Sequence, residues 1–252
     1  MAVFDGSIFS KTLGMNTGLS VILPDDKIER PADGFPVLYL LHGIFDNHTT
    51  WVHNTTIVRH AQSRGFAVIM PEVQRSYYTD MHFGHNYFSY VSDELPQLCR
   101  SLFGLTNRRA RTFVAGLSMG GYGALKCGLR RPDVFSACAG LSAATGIKAR
   151  AADYTNRPEM RSAFGEPAVV EDVDDLFALA YNAATLPPDK RPAVLICCGT
   201  EDTRIDENRL LKFELKKCGV PVTYSEEQGS HDWDYWEKIL PQVFDFFTTN
   251  IR

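Results

Sequence analysis

Ser118 lies in Gly116-Leu117-Ser118-Met119-Gly120, a G-x-S-x-G arrangement. An apolar β-prone run, Thr112 to Ala115, precedes it, and a helix-like run, Tyr122 to Cys127, follows. A serine on such a strand-to-helix turn is held in a strained backbone with its hydroxyl above the sheet edge, where a nucleophile is needed. Gly116 and Gly120 remove side chains where strand and helix pass closely. The helix start offers backbone N–H groups, beginning with Met119, to a developing oxyanion. The motif is short, and an ordinary glycine-rich turn is the plain alternative. The strand before and the helix after favour the nucleophile.

A serine of this kind needs a base, and the base needs an orienting acid. The G-x-S-x-G turn resembles the nucleophile elbow of α/β-hydrolases, in which the chain order is serine, acid, histidine. His231, in Gly229-Ser230-His231-Asp232-Trp233, is the only histidine after residue 118. Its other reading is a surface histidine at a helix start. The acid is expected after the penultimate strand, where Gly199-Thr200-Glu201-Asp202 follows Cys198. Asp202 is preferred to Glu201 and Asp206; the competing view is that Asp202 or Asp206 caps the next helix. A second oxyanion donor is expected after Leu41-His42-Gly43-Ile44, from the N–H of Ile44, with His42 anchoring that loop. Phe45, Trp51, Tyr77, Tyr78 and Phe83 are candidate walls of a small acyl pocket, and each reads equally well as core packing. His48, His53, His60, His82 and His85 have no consistent metal-ligand spacing, so neither metal nor cofactor is expected.

These residues need a scaffold, and the chain has the size for one α/β domain over residues 1–252. Strand-like and helix-like runs alternate, the pattern of a mostly parallel sheet covered on both faces. Expected strands are Leu19–Leu23 (antiparallel and peripheral), Val37–Leu41, Phe66–Met70, the run before Ser118, Phe135–Leu141, Ala193–Cys198 and Val222–Ser225. Expected helices cover Trp51–Arg64, Asp93–Phe103, the run after Ser118, Arg209–Cys218 and Trp233–Thr249, the last with a kink or break at Pro241. Between 142 and 191 the strand rhythm lapses, which suggests a cap inserted over the C-terminal edge of the sheet.

The net charge of −4 and scattered basic residues argue against a nucleic-acid partner. No apolar run approaches membrane-spanning length, so no membrane partner is expected. The N-terminus has neither a basic nor an apolar signal region. Six cysteines without metal-site spacing read as reduced core thiols, which points to the cytoplasm.

Taken together, the chain resembles the esterase D-type branch of the α/β-hydrolases, a putative esterase family. The resemblance is carried by Leu40-Leu41-His42-Gly43, by Gly116 through Ala124, by Gly199-Thr200-Glu201-Asp202 and by His231-Asp232-Trp233. Weaker agreement runs through Tyr77 to Met81 and Glu94-Leu95-Pro96, and it thins between Ser142 and Arg191. Within the branch the chain is most similar to the tributyrin esterase type. S-formylglutathione hydrolases usually carry histidine where Leu117 stands, and mycolyl transferases are secreted.

The resemblance implies a serine carboxylesterase for short-chain acyl esters, with Ser118 as nucleophile, Asp202 as acid and His231 as base. Ile44 and Met119 are its oxyanion donors, and the partner is a small-molecule ester. It also implies a homo-oligomer, dimer or tetramer. The nearer rival is a thioesterase of the S-formylglutathione hydrolase type, or an esterase of feruloyl or acetyl-xylan type. The more distant is a non-catalytic binding protein on the same fold.

Overall fold

Runs of β-branched and apolar residues pair into one sheet with the order β1-β2-β4-β3-β5-β6-β7-β8. A computed structural model describes residues 1–24 and 28–251. The strands are β1 (Ala2–Ser10), β2 (Met15–Leu23), β3 (Val37–Leu41), β4 (Ala67–Pro71), β5 (Thr112–Leu117), β6 (Ala137–Leu141), β7 (Ala193–Gly199) and β8 (Val222–Glu227). β1 and β2 are antiparallel, as are β2 and β4; from β4 across to β8 every pair is parallel. The fold is that of the α/β-hydrolases.

The helices are α1 (Thr50–Asn54), α2 (Ile57–Arg64), α3 (Tyr87–Ser89), α4 (Leu95–Phe103), α5 (Met119–Arg130), α6 (Ile147–Ala152), α7 (Pro158–Phe164), α8 (Leu176–Ala184), α9 (Ile205–Lys217) and α10 (Trp233–Thr249). Alternation along the strands sends side chains to opposite faces. On β3, Val37, Tyr39 and Leu41 join the cluster that α4, α5, α8 and α9 cover. Leu38 and Leu40 face the other way, into a cluster closed by α1, α2 and the aromatic stripe of α10.

The register aligns the C-terminal strand ends, because Leu41 pairs with Gly116, Leu117 with Leu141, Leu141 with Cys197 and Gly199 with Glu227. Segments leaving these ends share one rim of the sheet, where ligands bind in open α/β folds.

Four expectations need correction. β1 was not anticipated; it is an edge strand, largely exposed, so it lacks the apolar alternation that marks a half-buried strand. The helix expected over Trp51–Arg64 is two helices, because Thr55 Oγ1 accepts from Ile57 N and Glu237 accepts from Thr56 N, capping a fresh start. The helical stretch before Phe103 begins at Tyr87 and passes through a π turn at Tyr90–Glu94. α10 runs through Pro241 unbroken. Its buried stripe, including Trp236, Ile239, Leu240, Val243, Phe244 and Phe247, offsets the roughly 3 kcal/mol a helix-interior proline costs.

Residues 142–191 contain α6, α7 and α8, and α8 packs against α5 and α9. Tyr122 Oη donates to Asp174 O at 2.6 Å, and Lys126 Nζ donates to Asp174 Oδ1 at 2.7 Å and to Thr79 Oγ1 at 2.9 Å. Lys126 is fully buried, with its ammonium over the rings of Phe88 and Tyr122. The helix after Ser118 is thereby tied to the segment leading into α8. Asp174→Ala is expected to cost about 3 kcal/mol in denaturant unfolding, because it strands a buried ammonium. Lys126→Met is expected to cost less, since Arg130 Nη1 remains 3.7 Å from Asp174 Oδ1.

Candidate active site

Ser118 joins the end of β5 to the start of α5 with φ 55° and ψ −115°, a conformation L residues rarely adopt. Its N–H donates to Leu141 O at 2.8 Å and its carbonyl accepts from Ala144 N at 3.0 Å, so the neighbouring strand holds the turn. Gly120 permits this junction. A Cβ there would lie 2.4 Å from Leu41 O and 2.6 Å from His42 O, so any side chain would force α5 away from the end of β3.

The turn after β7 and the loop after β8 are locked together. Thr200 N donates to Glu227 O and Glu201 N to Gly229 O, both at 3.0 Å. Gly199 allows that contact, since a Cβ would lie 2.1 Å from Gly229 O. Asp202 is thereby fixed below His231. Its Oδ2 is 2.8 Å from His231 Nδ1, and its Oδ1 accepts from Arg204 N at 2.8 Å. The side chain is fully buried while that of His231 is partly exposed. His231 Nε2 lies 3.0 Å from Ser118 Oγ.

A carboxylate only accepts, so Nδ1 carries the imidazole proton and Nε2 is left to accept from the serine hydroxyl. The Trp236 ring meets His231 edge-on at 5.1 Å, and its Nε1 donates to Ser142 Oγ at 3.2 Å. Asp232 caps α10 by accepting from Tyr235 N at 2.9 Å, fixing the chain just past the histidine.

Asp206, weighed against Asp202, is not at the site. Its side chain is 92 % exposed and pairs with Arg209 at 3.3 Å. Neither aspartate is the N-cap of α9, a position occupied by Arg204.

The polar groups of the loop after β3 are committed in turn as far as Gly43. Leu41 O accepts from Trp51 Nε1 at 3.1 Å, and His42 O accepts from Tyr78 Oη at 2.9 Å. His42 Nε2 accepts from Val73 N at 3.1 Å, so Nδ1 is the donor that reaches Gly43 O at 2.7 Å. Gly43 N donates to Asp46 Oδ2 at 3.0 Å. Burial pushes the Asp46 carboxyl above its ordinary value, against the opposing hydrogen bond from Gly43. The next N–H along the chain is that of Ile44. Across from it, Met119 opens α5, where a first-turn N–H has no partner inside the helix.

The candidate pocket residues divide. Phe45 is 90 % exposed beside the loop, with the Arg75 guanidinium 5.8 Å from its ring centroid, and Phe83 is exposed against His82. Tyr77 is buried with φ 51°, its ring 6.2 Å from that of Tyr122 on α5. Trp51 and Tyr78 are fully buried and present no surface to a ligand. Their polar tips hold the loop carbonyls instead, so they act on the site through the backbone. Tyr78→Phe should therefore cost about 1–3 kcal/mol of stability by leaving His42 O unpaired. It should also lower kcat more than it changes KM, as measured by denaturant unfolding and steady-state kinetics.

Residues 10–247 match the model of a family described as putative esterase. The chain belongs to this esterase family. Over 98% of both chains it is 34% identical to an acetyl esterase of Caldicellulosiruptor saccharolyticus. Two solved structures from Staphylococcus aureus are similar over 98% of each chain. One is the fluorophosphonate-binding serine hydrolase F, at 30% identity and a TM-score of 0.89. The other is an S-formylglutathione hydrolase, at 31% identity and a TM-score of 0.85. The protein is a serine esterase, acting on carboxylic ester bonds of small molecules.

The three side chains of this esterase that meet at the sheet rim, Ser118, His231 and Asp202, are ones the sequence singles out. Asp46, Trp236 and the Arg204 N–H support the site without having been expected from the sequence. Asp46 had a local signal, a short carboxylate three residues past Gly43 in a turn. Trp236 had none, because its contact to Ser142 spans 94 residues.

Proposed function

We propose that Ser118, His231 and Asp202 act as a catalytic triad that hydrolyses short-chain acyl esters through an acyl-enzyme. The observation that carries this reading is the pair of contacts on one imidazole, 2.8 Å to Asp202 and 3.0 Å to Ser118. His231 Nε2 takes the hydroxyl proton as Ser118 Oγ attacks the ester carbonyl, and Asp202 stabilises the imidazolium that forms. The N–H groups of Met119 and Ile44 receive the negative charge on the former carbonyl oxygen. Collapse of the tetrahedral intermediate expels the alcohol, which takes the proton from His231. Water then attacks the acyl-enzyme by the same route, with His231 as base and Ser118 as leaving group.

Short acyl groups are favoured by the acetyl esterase among the relatives. Residues 142–191 act as the cap of a single domain, with α6 and α7 shaping the alcohol and acyl pockets. Six free cysteines, five of them buried, fit a reducing compartment such as the cytoplasm. Among the described residues no helix is long and apolar enough to cross a membrane. A thioester reading is also supported, by the S-formylglutathione hydrolase among the similar structures.

The test is a panel of 4-nitrophenyl esters of increasing acyl length, 4-nitrophenyl ferulate and S-formylglutathione. The highest kcat/KM is expected on acetyl to butyryl esters. A maximum on S-formylglutathione would transfer the assignment to the thioesterase, and one on ferulate to the aryl-ester class.

A further inference from the structure

Beside the turn that holds Asp202 is a basin of about 410 Å³, lined by Ala149, Arg150, Asp153, Arg157, Thr203 and Arg204. Both of its walls are tied to the reacting side chains. On one side, Arg204 N donates to Asp202 Oδ1 at 2.8 Å. On the other, Ala144 N donates to Ser118 O at 3.0 Å, and the chain enters α6 three residues later. Glu207 stitches the walls together. Its carboxylate accepts from Gly146 N at 2.8 Å, from Arg150 Nη1 and Nη2 at 2.9 and 2.8 Å, and from Arg204 Nη1 at 3.2 Å.

That carboxylate is fully engaged, yet it serves two guanidiniums. Arg157 has Asp153 as its partner, through Nε at 3.2 Å. Three guanidiniums therefore face two carboxylates, leaving one positive charge in excess on a chain whose net charge is −4. Arg204 Nε is buried with no hydrogen-bond partner, an orphan donor on a cation. That nitrogen is closed off from solvent, so the part of the Arg204 guanidinium left to meet a ligand is its partly exposed end. The field of these arginines is felt at Tyr77, whose ring lies 6.2 Å from that of Tyr122 on the helix that follows Ser118. Burial pushes the Tyr77 hydroxyl up, and the charge of Arg150 is the first to oppose it, with Arg157 and Arg75 adding to that opposition.

We propose that this basin binds a carboxylate carried by the substrate, so that the preferred esters are monoanions with their charge remote from the reacting carbonyl. A planar guanidinium fork matches a carboxylate in shape, and a single excess charge matches a monoanion better than a phosphate dianion. The proposal rests on the serine-esterase reading of the same site and narrows its substrate class.

Two matched pairs of substrates test it. On the alcohol side, 4-carboxyphenyl acetate is compared with 4-carbamoylphenyl acetate. On the acyl side, monoethyl succinate is compared with ethyl succinamate. In one of the pairs the anion is expected to have a kcat/KM about tenfold higher, mainly through KM, as for a charge-assisted hydrogen bond. That pair tells which side of the ester reaches the basin. The ratio of anion to neutral should shrink at high salt, because the basin is open to solvent. It should collapse in Arg157→Gln and Arg204→Gln, and recover in part in Arg157→Lys, which keeps the charge without the fork. Neutral esters that match the anions in both pairs would overturn the proposal. So would an anion preference that survives both glutamine variants. If none of these esters is hydrolysed and a fluorophosphonate does not label Ser118, the failure lies with the serine-esterase reading and not with the basin.

Discussion

Ser118→Ala is expected to lower kcat for ester hydrolysis by a factor on the order of 10⁶, the scale seen when a serine hydrolase loses its nucleophile. The variant keeps the oxyanion donors and the imidazole but cannot form the acyl-enzyme. Labelling by a fluorophosphonate should vanish with it; labelling that persists, or that maps to another residue, would displace Ser118 from its role. Stability gives a second and independent readout. Ser118 is held at φ 55° and ψ −115°, and strain of this kind costs about 1–3 kcal/mol. Ser118→Gly should release it and raise the unfolding free energy by about 1 kcal/mol, while remaining as inactive as the alanine variant. A gain in stability coupled to a complete loss of turnover is the mark of a backbone strained for function. A glycine variant less stable than the parent would mean that the turn is relaxed and that the motif is an ordinary strand-to-helix connection.

The three side chains that meet at the sheet rim were legible in the sequence because topology limits where they can be. Each follows the C-terminal end of a buried strand, and strands buried on both faces are the most readable elements of this chain. Val37–Leu41 was read with the bounds it has, and Ala193–Cys198 to within one residue. With one histidine after Ser118, the candidate base has no rival. The candidate acid is harder to read, since three carboxylates lie within six residues; the tight turn at Gly199, held against Gly229, is what brings Asp202 to His231.

What the sequence hid was the support of the loop after β3. Trp51 and Tyr78 have the composition of pocket walls, and only tertiary structure reveals that their polar tips face backbone carbonyls 10 and 36 residues away. Edge strand β1 was hidden for the opposite reason, since its exposed residues carry no burial pattern to read. Pro241 shows that a local rule yields to packing when enough of an aromatic stripe is buried around it.

Asp202→Asn is expected to lower kcat by a factor on the order of 10⁴, by analogy with the same change in a serine protease. The carboxylate accepts from His231 Nδ1 at 2.8 Å, which leaves Nε2 free of a proton and facing Ser118 Oγ. An asparagine amide can turn its NH2 toward Nδ1, which then becomes the acceptor and moves the imidazole proton to Nε2. In that tautomer His231 cannot take the serine proton, and it gains no negative partner when it becomes charged. The turn itself should survive, because the asparagine oxygen can still accept from Arg204 N in place of Asp202 Oδ1. Thermal unfolding should therefore change much less than turnover. Asp206→Asn supplies the contrast, since that side chain is 92 % exposed and pairs with Arg209 across one helical turn. Its effect on stability should stay within about 0.5 kcal/mol, as for an ordinary surface change, with kcat near that of the parent. The decisive measurement is kcat on one short-chain ester for both variants, alongside the rate of fluorophosphonate labelling. If Asp206→Asn proves the more damaging of the two, the acid has been placed on the wrong carboxylate.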